Sequence, residues 1–137
     1  MIIETVEDIS LCHALRRAVF IEEQGISEPD EWDDLDGDAL HLLARDGETP
    51  LGTARLLVVG AKGKIGRLCV AKPMRGTGLG AALVRESCAR LSALGCTRVY
   101  LSAQVSAIGF YEGLGFVAYG APYDDAGIPH RDMEKPL

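Results

Sequence analysis

Six consecutive residues, Arg75-Gly76-Thr77-Gly78-Leu79-Gly80, place three alternating glycines between an aliphatic stretch and an amphipathic one. Glycine accepts tight turns and lets backbone N–H groups approach a ligand closely. Where such a turn opens a helix, the first unpaired amides and the positive dipole end favour an anion. Phosphate is the chemistry this implies, and Arg75 can add a bidentate charged contact. Two familiar phosphate loops do not fit. No Lys-Ser/Thr follows the glycines as in GxxxxGK[ST], and GxGxG after several strands is not the GxGxxG of a first βαβ unit. Without a ligand, the same run is a plain strand-to-helix turn.

A second segment lies downstream, Gln104-Val105-Ser106-Ala107-Ile108-Gly109-Phe110-Tyr111-Glu112-Gly113-Leu114-Gly115-Phe116. The two segments together, in this order, resemble the signatures of the GNAT acyltransferase superfamily. Arg75, Gly78 and Gly80 match Q/R-x-x-G-x-G/A, and the second segment matches N-x-x-A-x-x-F-Y-x-x-x-G-F with Gln104 in place of Asn. The resemblance implies a mixed α/β sheet flanked by helices and an acetyl-CoA cosubstrate whose pyrophosphate lies on the amides of Gly76 to Gly80. It implies that the strand Leu68-Cys69-Val70 splays from its neighbour and pairs with the pantetheine arm, with a bulge whose amide polarises the thioester carbonyl. It also implies that Gln104 hydrogen-bonds the pantetheine and that Tyr111 protonates the departing thiolate. A narrower resemblance, to the ElaA-like subgroup, rests on Arg17-Ala18-Val19-Phe20-Ile21-Glu22-Glu23-Gln24, on Asp33 and Asp36, and on Gly127-Ile128-Pro129-His130-Arg131-Asp132-Met133.

The elements that must position these residues follow from apolar spacing. Ile2 to Thr5 reads as a short strand, and Val6 to about Gln24 as a helix stopped by Gly25. Glu22 to Asp38 is a loop or broken helix. Ala39 to Asp46 and Leu51 to Val59 form a hairpin, with a third strand from Ile65 to Ala71. A helix runs from about Gly78 to Leu94, with Leu79, Leu83, Ser87, Leu91 and Leu94 on one face and Gly95 at its end. Thr97 to Ala103 is a strand, Ser106 to Leu114 a short helix and Phe116 to Gly120 a strand, and Pro129 to Glu134 is expected to pair at a sheet edge. The 137 residues read as one domain, 1–137.

Charge is unevenly placed in a chain of net charge −6. Met1 to Ala54 carries 14 acids and 3 bases, whereas Arg55 to Arg98 carries 9 bases and 1 acid. A small phosphorylated ligand suits that middle, or it is a solvated basic face; nucleic acid would be repelled by the flanks. The nine acids between Glu22 and Asp38 form a solvated loop or attract a cationic acceptor. No stretch approaches a membrane span and none has the form of a secretory signal, so no membrane partner and a cytoplasmic location are expected. Cys12, Cys69, Cys88 and Cys96 form no CxxC pair or metal cluster and read as reduced core residues, with no metal expected.

The expected reaction is direct transfer from acetyl-CoA to a primary amine of a small molecule or peptide. Cys69 would serve as a nucleophile only with a base beside it. His130 can line the acceptor pocket or be structural, and His41 and His13 read as local structural residues. An acyl-CoA sensor and a relative of acyl-homoserine-lactone synthases are the alternatives. A homodimer through a sheet edge, as many relatives form, is left open by the sequence.

Overall fold

The computed structural model describes residues 1–137. Its elements are β1 (Ile2–Val6), α1 (Ser10–Arg16), α2 (Glu28–Glu31), β2 (Leu40–Asp46), β3 (Thr49–Val59), β4 (Lys62–Val70), α3 (Leu79–Ala93), β5 (Arg98–Gln104), α4 (Ile108–Glu112), β6 (Val117–Asp125) and β7 (Ile128–Pro136). The strands form one sheet in the order β1-β2-β3-β4-β5-β7-β6. Every pairing is antiparallel except β4 with β5. This is the mixed sheet flanked by helices that the sequence implied.

Strand alternation sorts the side chains onto two faces. Leu42, Ala54, Leu56, Ile65, Val99, Leu101 and Met133 point to one face and pack against Leu79, Leu83 and Leu91 of α3. Their neighbours Leu43 and Cys69 point to the other face and pack against Cys12, Leu15, Val19 and Phe20. Helix α3 docks closely because glycines face it. A methyl group on Gly63 would lie 2.5 Å from Leu91 Cδ2 and 2.9 Å from its Cγ, and Leu91 is wholly buried. Gly63→Ala is expected to cost about 1–3 kcal/mol through overpacking, read as a lower urea midpoint with an unchanged m-value.

Three expectations are corrected. The first helix begins at Ser10, because Val6 still pairs with His41 in β1. It continues beyond Arg16 as a π-helical stretch, Arg17–Glu23, shown by Gln24 N donating to Val19 O five residues back at 3.0 Å. The last segment is not an edge strand: β7 lies between β5 and β6, and β6, longer than expected, forms the edge. β7 contributes the wholly buried Met133, whereas no residue of β6 is buried. Leu94 lies past the end of α3 and is 53% exposed, outside the core face.

Candidate active site

The parallel pairing of β4 with β5 is short, running from Lys62↔Arg98 to Ile65↔Leu101. Beyond that point the strands part, and β5 pairs only with β7 on its far side. The cause lies in β4. Thr53 faces Cys69 and Arg55 faces Gly66, so Arg67 and Leu68 together oppose the single residue Ala54. This is a β-bulge, and its first residue, Arg67, is left-handed at φ 51°. A non-glycine residue there costs about 1–2 kcal/mol. Offsetting contacts fix it: Arg67 Nη2 donates to Glu31 O at 2.9 Å and to Asp33 Oδ2 at 3.2 Å, and Nε lies 3.0 Å from Glu31 Oε2.

The gap leads to the glycine turn. Gly76 and Gly78 have φ of 79° and 88°, and Gly78 caps α3 without a side-chain hydrogen bond. Thr77 Oγ1 donates to Met74 O at 2.5 Å, which tightens the turn. None of the amides from Gly76 to Ala81 donates to a protein acceptor. Gly76, Gly78, Leu79, Gly80 and Ala81 line the same cavity, of about 880 Å³, as Leu68, Cys69 and Val70 of β4. A row of free donors at the positive end of a 15-residue helix can receive a diphosphate.

Arg75 is placed beside this row but is engaged. Its guanidinium meets Glu23 at 2.5 and 2.8 Å and Val70 O at 3.3 Å. The hydrogen bonds from Arg75 lower the Glu23 carboxyl below its usual range and raise the Arg75 guanidinium. Gln104, at the end of β5, donates to Gln24 Oε1 at 2.8 Å. Both contacts tie the end of the first helix across the gap.

Tyr111 sits half-buried on the α3 face, edge-on to Phe110 at 5.0 Å and to Phe116 at 5.8 Å between ring centroids. Its hydroxyl makes no hydrogen bond to the protein, although the ring lines the cavity. Burial pushes the phenol up to about 12. Cys69 is 6% exposed, and burial pushes its thiol up to about 12 as well. An unactivated thiol of that kind does not serve as an acyl carrier.

On the other face of the gap, the acidic run is not free charge. Arg16, 1% exposed, donates from Nε to Glu31 Oε2 and from Nη1 to Asp36 Oδ1, both at 2.8 Å. Arg55 grips Asp33 at 2.7 and 3.0 Å and reaches Asp36 at 3.2 Å. Together with Arg67 this makes a neutral cluster of three arginines and three carboxylates. The basic middle and the acidic flank therefore neutralise each other inside the fold, a use of charge that neither sequence reading anticipated. His13 and His41 belong here too, the first bonded to Asp36 Oδ2 and the second to Asp36 O, each at 2.9 Å. Asp30, Lys64 and Asp125 line the cavity without an ion-pair partner.

The bulge expected along Leu68-Cys69-Val70 is present but begins one residue earlier, at Arg67 and Leu68; what sequence reasoning missed is the left-handed Arg67 and the roles of Arg16 and Glu23. Arg16 carried a readable signal, since it lies four residues after Cys12 on the helix face that also holds Val19 and Phe20. Arg67 carried none, because glycine usually marks a left-handed position.

A splayed parallel pair beside a bare helix N-terminus, reached from both faces of the sheet, defines an acyl-CoA N-acyltransferase. The chain belongs to the acetyltransferase (GNAT) domain family, which it matches over residues 18–137, and it is an acyltransferase. It is similar to Bacillus subtilis (strain 168) BSU40680, a protein provisionally named an acetyltransferase, with 38% identity over 136 residues, covering 97% of this chain and 92% of that one. It is similar to protein ElaA of Escherichia coli (strain K12), with 33% identity over 136 residues, covering 88% and 82%. The crystal structure of Escherichia coli ElaA superposes with a TM-score of 0.82 over 98% of this chain and 99% of that one, with 27% identity. An acyl-CoA N-acyltransferase structure from Pseudomonas aeruginosa matches with a TM-score of 0.84 and 33% identity, covering 96% and 92%.

Proposed function

We propose that this chain, acting as one domain over residues 1–137, moves an acetyl group from acetyl-CoA directly to a primary amine of a small molecule or peptide. The observation that carries this reading is the unbroken row of free amides from Gly76 to Ala81, opening onto the gap between β4 and β5. The amides of Gly76, Thr77, Gly78, Leu79 and Gly80 hold the pyrophosphate, and Arg75 exchanges its Glu23 partner for the same anion. Leu68, Cys69 and Val70 offer backbone groups to the pantetheine, and Gln104 adds a side-chain contact. Bound acetyl-CoA supplies the activated thioester. The bulge turns a backbone amide towards the thioester carbonyl, where developing negative charge is stabilised. Tyr111 holds the proton that the departing sulfur needs, on Oη.

Burial supports the last assignment to this extent: it disfavours the phenolate, so Tyr111 keeps its proton at neutral pH, and the ring lines the cavity. Asp30 and Asp125, with no ion-pair partner, support a cationic acceptor. The four free thiols support a reducing, cytoplasmic setting.

The test combines CoA calorimetry with a panel of amines, reading released CoA with a thiol reagent. The wild-type protein is expected to bind CoA, more weakly as salt rises, and to release thiol with at least one amine. Gly78→Ala forces a side chain into a left-handed position, strained by about 1–2 kcal/mol, and relaxation turns the amides away, so affinity should fall about tenfold. Absence of CoA binding by the wild-type protein would end the proposal.

A further inference from the structure

Cross-strand register places Gln104 of β5, His130 of β7 and Tyr123 of β6 side by side, so their side chains share one face of the sheet. Ser102 and Asp132, paired with each other two residues along, share it too. Gln104 contacts Gln24, which identifies this as the face covered by the first helix. Tyr111 packs on the opposite face, with the α3 core. The gap between β4 and β5 is thus a slot through the sheet, with Tyr111 on one side and His130 on the other, and both line the one cavity.

His130 is held in a defined tautomer. Its Nδ1 lies 2.7 Å from the Ile128 carbonyl oxygen, which can only accept, so Nδ1 carries the proton and donates it. Nε2 then bears a lone pair and makes no hydrogen bond to the protein. The ring is stacked on Tyr123, 6.3 Å between centroids with planes 22° apart. Tyr123 is fixed in turn, donating to Asp132 Oδ1 at 2.6 Å and bonding to the Ser102 hydroxyl. The left-handed pair Ala126 and Gly127, at φ 55° and 79°, makes the β6–β7 turn that carries His130 to the cavity wall.

The wall offers few other bases. Glu31, Arg55 and Arg67 are committed to the buried cluster, and Glu23 to Arg75. The charged and titratable groups around His130 are Tyr123, Asp124 and Asp125 on β6, Asp132 on β7, and Asp30 and Lys64 across the cavity. Asp30, Asp124 and Asp125 are exposed and solvated. Imidazole is the side chain most often used to take a proton in general-base catalysis.

We propose that His130 takes the proton of the acceptor amine on Nε2, from the face of the sheet opposite Tyr111; this rests on the acyl-transfer reading above. The step balances: Nε2 takes one proton from the acceptor ammonium, the freed amine forms a C–N bond as the C–S bond breaks, Tyr111 Oη gives its proton to sulfur, and the second proton lost from nitrogen passes through solvent to the phenolate. The imidazolium then releases its proton to solvent.

His130→Asn tests this, because the Asn amide keeps a donor for Ile128 O but has no base at the Nε2 position. Two small probes separate base catalysis from a structural role: propylamine, which is protonated at neutral pH, and hydroxylamine, which is not. The variant should bind CoA like the wild type, lose about 10²-fold in kcat/KM with propylamine together with the acid limb of the pH profile, and act on hydroxylamine nearly as before. Equal losses with both amines, or no loss, overturn the proposal. Nitrogen-15 shifts of the free wild-type ring, which need no substrate, should show the proton on Nδ1; a proton on Nε2 overturns the role of His130 alone. Failure of the wild-type protein to acetylate either probe counts against the transfer reading and brings the proposal down with it.

Discussion

Replacing Tyr111 by Phe should lower kcat for acetyl transfer by about 10²-fold or more while leaving the Kd for CoA unchanged. The substitution removes one oxygen and little else. Both edge-on aromatic contacts, to Phe110 and Phe116, use the ring and survive, and the hydroxyl has no protein partner to orphan. Any loss of rate therefore reports on the proton. Because burial holds the phenol up to about 12, the wild-type rate should show no alkaline limb from Tyr111 below that range. The deficit of the variant should accordingly stay constant across neutral pH. An acceptor amine with a good thiol-release assay suffices to measure it. A Tyr111→Phe protein with wild-type kcat would assign the proton of the leaving sulfur to water and reduce Tyr111 to a packing residue.

The parts of this site that could be read in advance are those whose chemistry is local. Alternating glycines at residues 76, 78 and 80 announce an amide-lined turn because each one frees the backbone next to it, and the helix that follows is written in the spacing of Leu79, Leu83 and Leu91. Tyr111 and Gln104 were placed through the resemblance of a whole segment, since nothing in an isolated tyrosine distinguishes a proton donor from a core ring. What escaped depends on partners far apart in sequence. Arg67 adopts a left-handed conformation only because Glu31 and Asp33, more than 30 residues earlier, hold its guanidinium. His130 gains its fixed tautomer from a hairpin whose place inside the sheet was not foreseen. The charge asymmetry was visible, but its use was not, because a count of acids and bases cannot show which pairs meet in the interior.

The same buried cluster sets the largest expected loss of stability. Arg16→Met should destabilise the fold by about 3–5 kcal/mol at neutral pH, since it leaves three carboxylates of a buried cluster facing only Arg55 and Arg67. Glu31 is 2% exposed and loses its Nε contact; Asp36 loses its 2.8 Å bond from Nη1. In the wild-type protein, burial works against ionisation of Asp36, but the hydrogen bonds from Arg16, His13 and Arg55 outweigh it and hold the carboxyl well below its usual range. Asp33 is also lowered, where burial is likewise outweighed by Arg55. A carboxyl depressed in the folded state contributes stability above its unfolded value, near about 4, and that contribution is lost as pH falls further. Without Arg16 the cluster holds one carboxylate more than it has guanidinium groups, and protonation relieves that excess, so the gap between variant and wild type should narrow from pH 7 towards pH 4.5. Urea unfolding at the two pH values measures it, and a loss below about 1 kcal/mol, or one independent of pH, would show that the cluster is held by packing rather than charge. Activity should fall with stability. Glu31 and Asp33 are also what Arg67 grips, so a loosened Glu28–Asp38 segment releases the bulge at φ 51° that parts β4 from β5. The salt-bridge cluster and the slot through the sheet are therefore one mechanical unit, and a methionine at position 16, which touches neither cofactor nor acceptor, should damage catalysis through the backbone of β4.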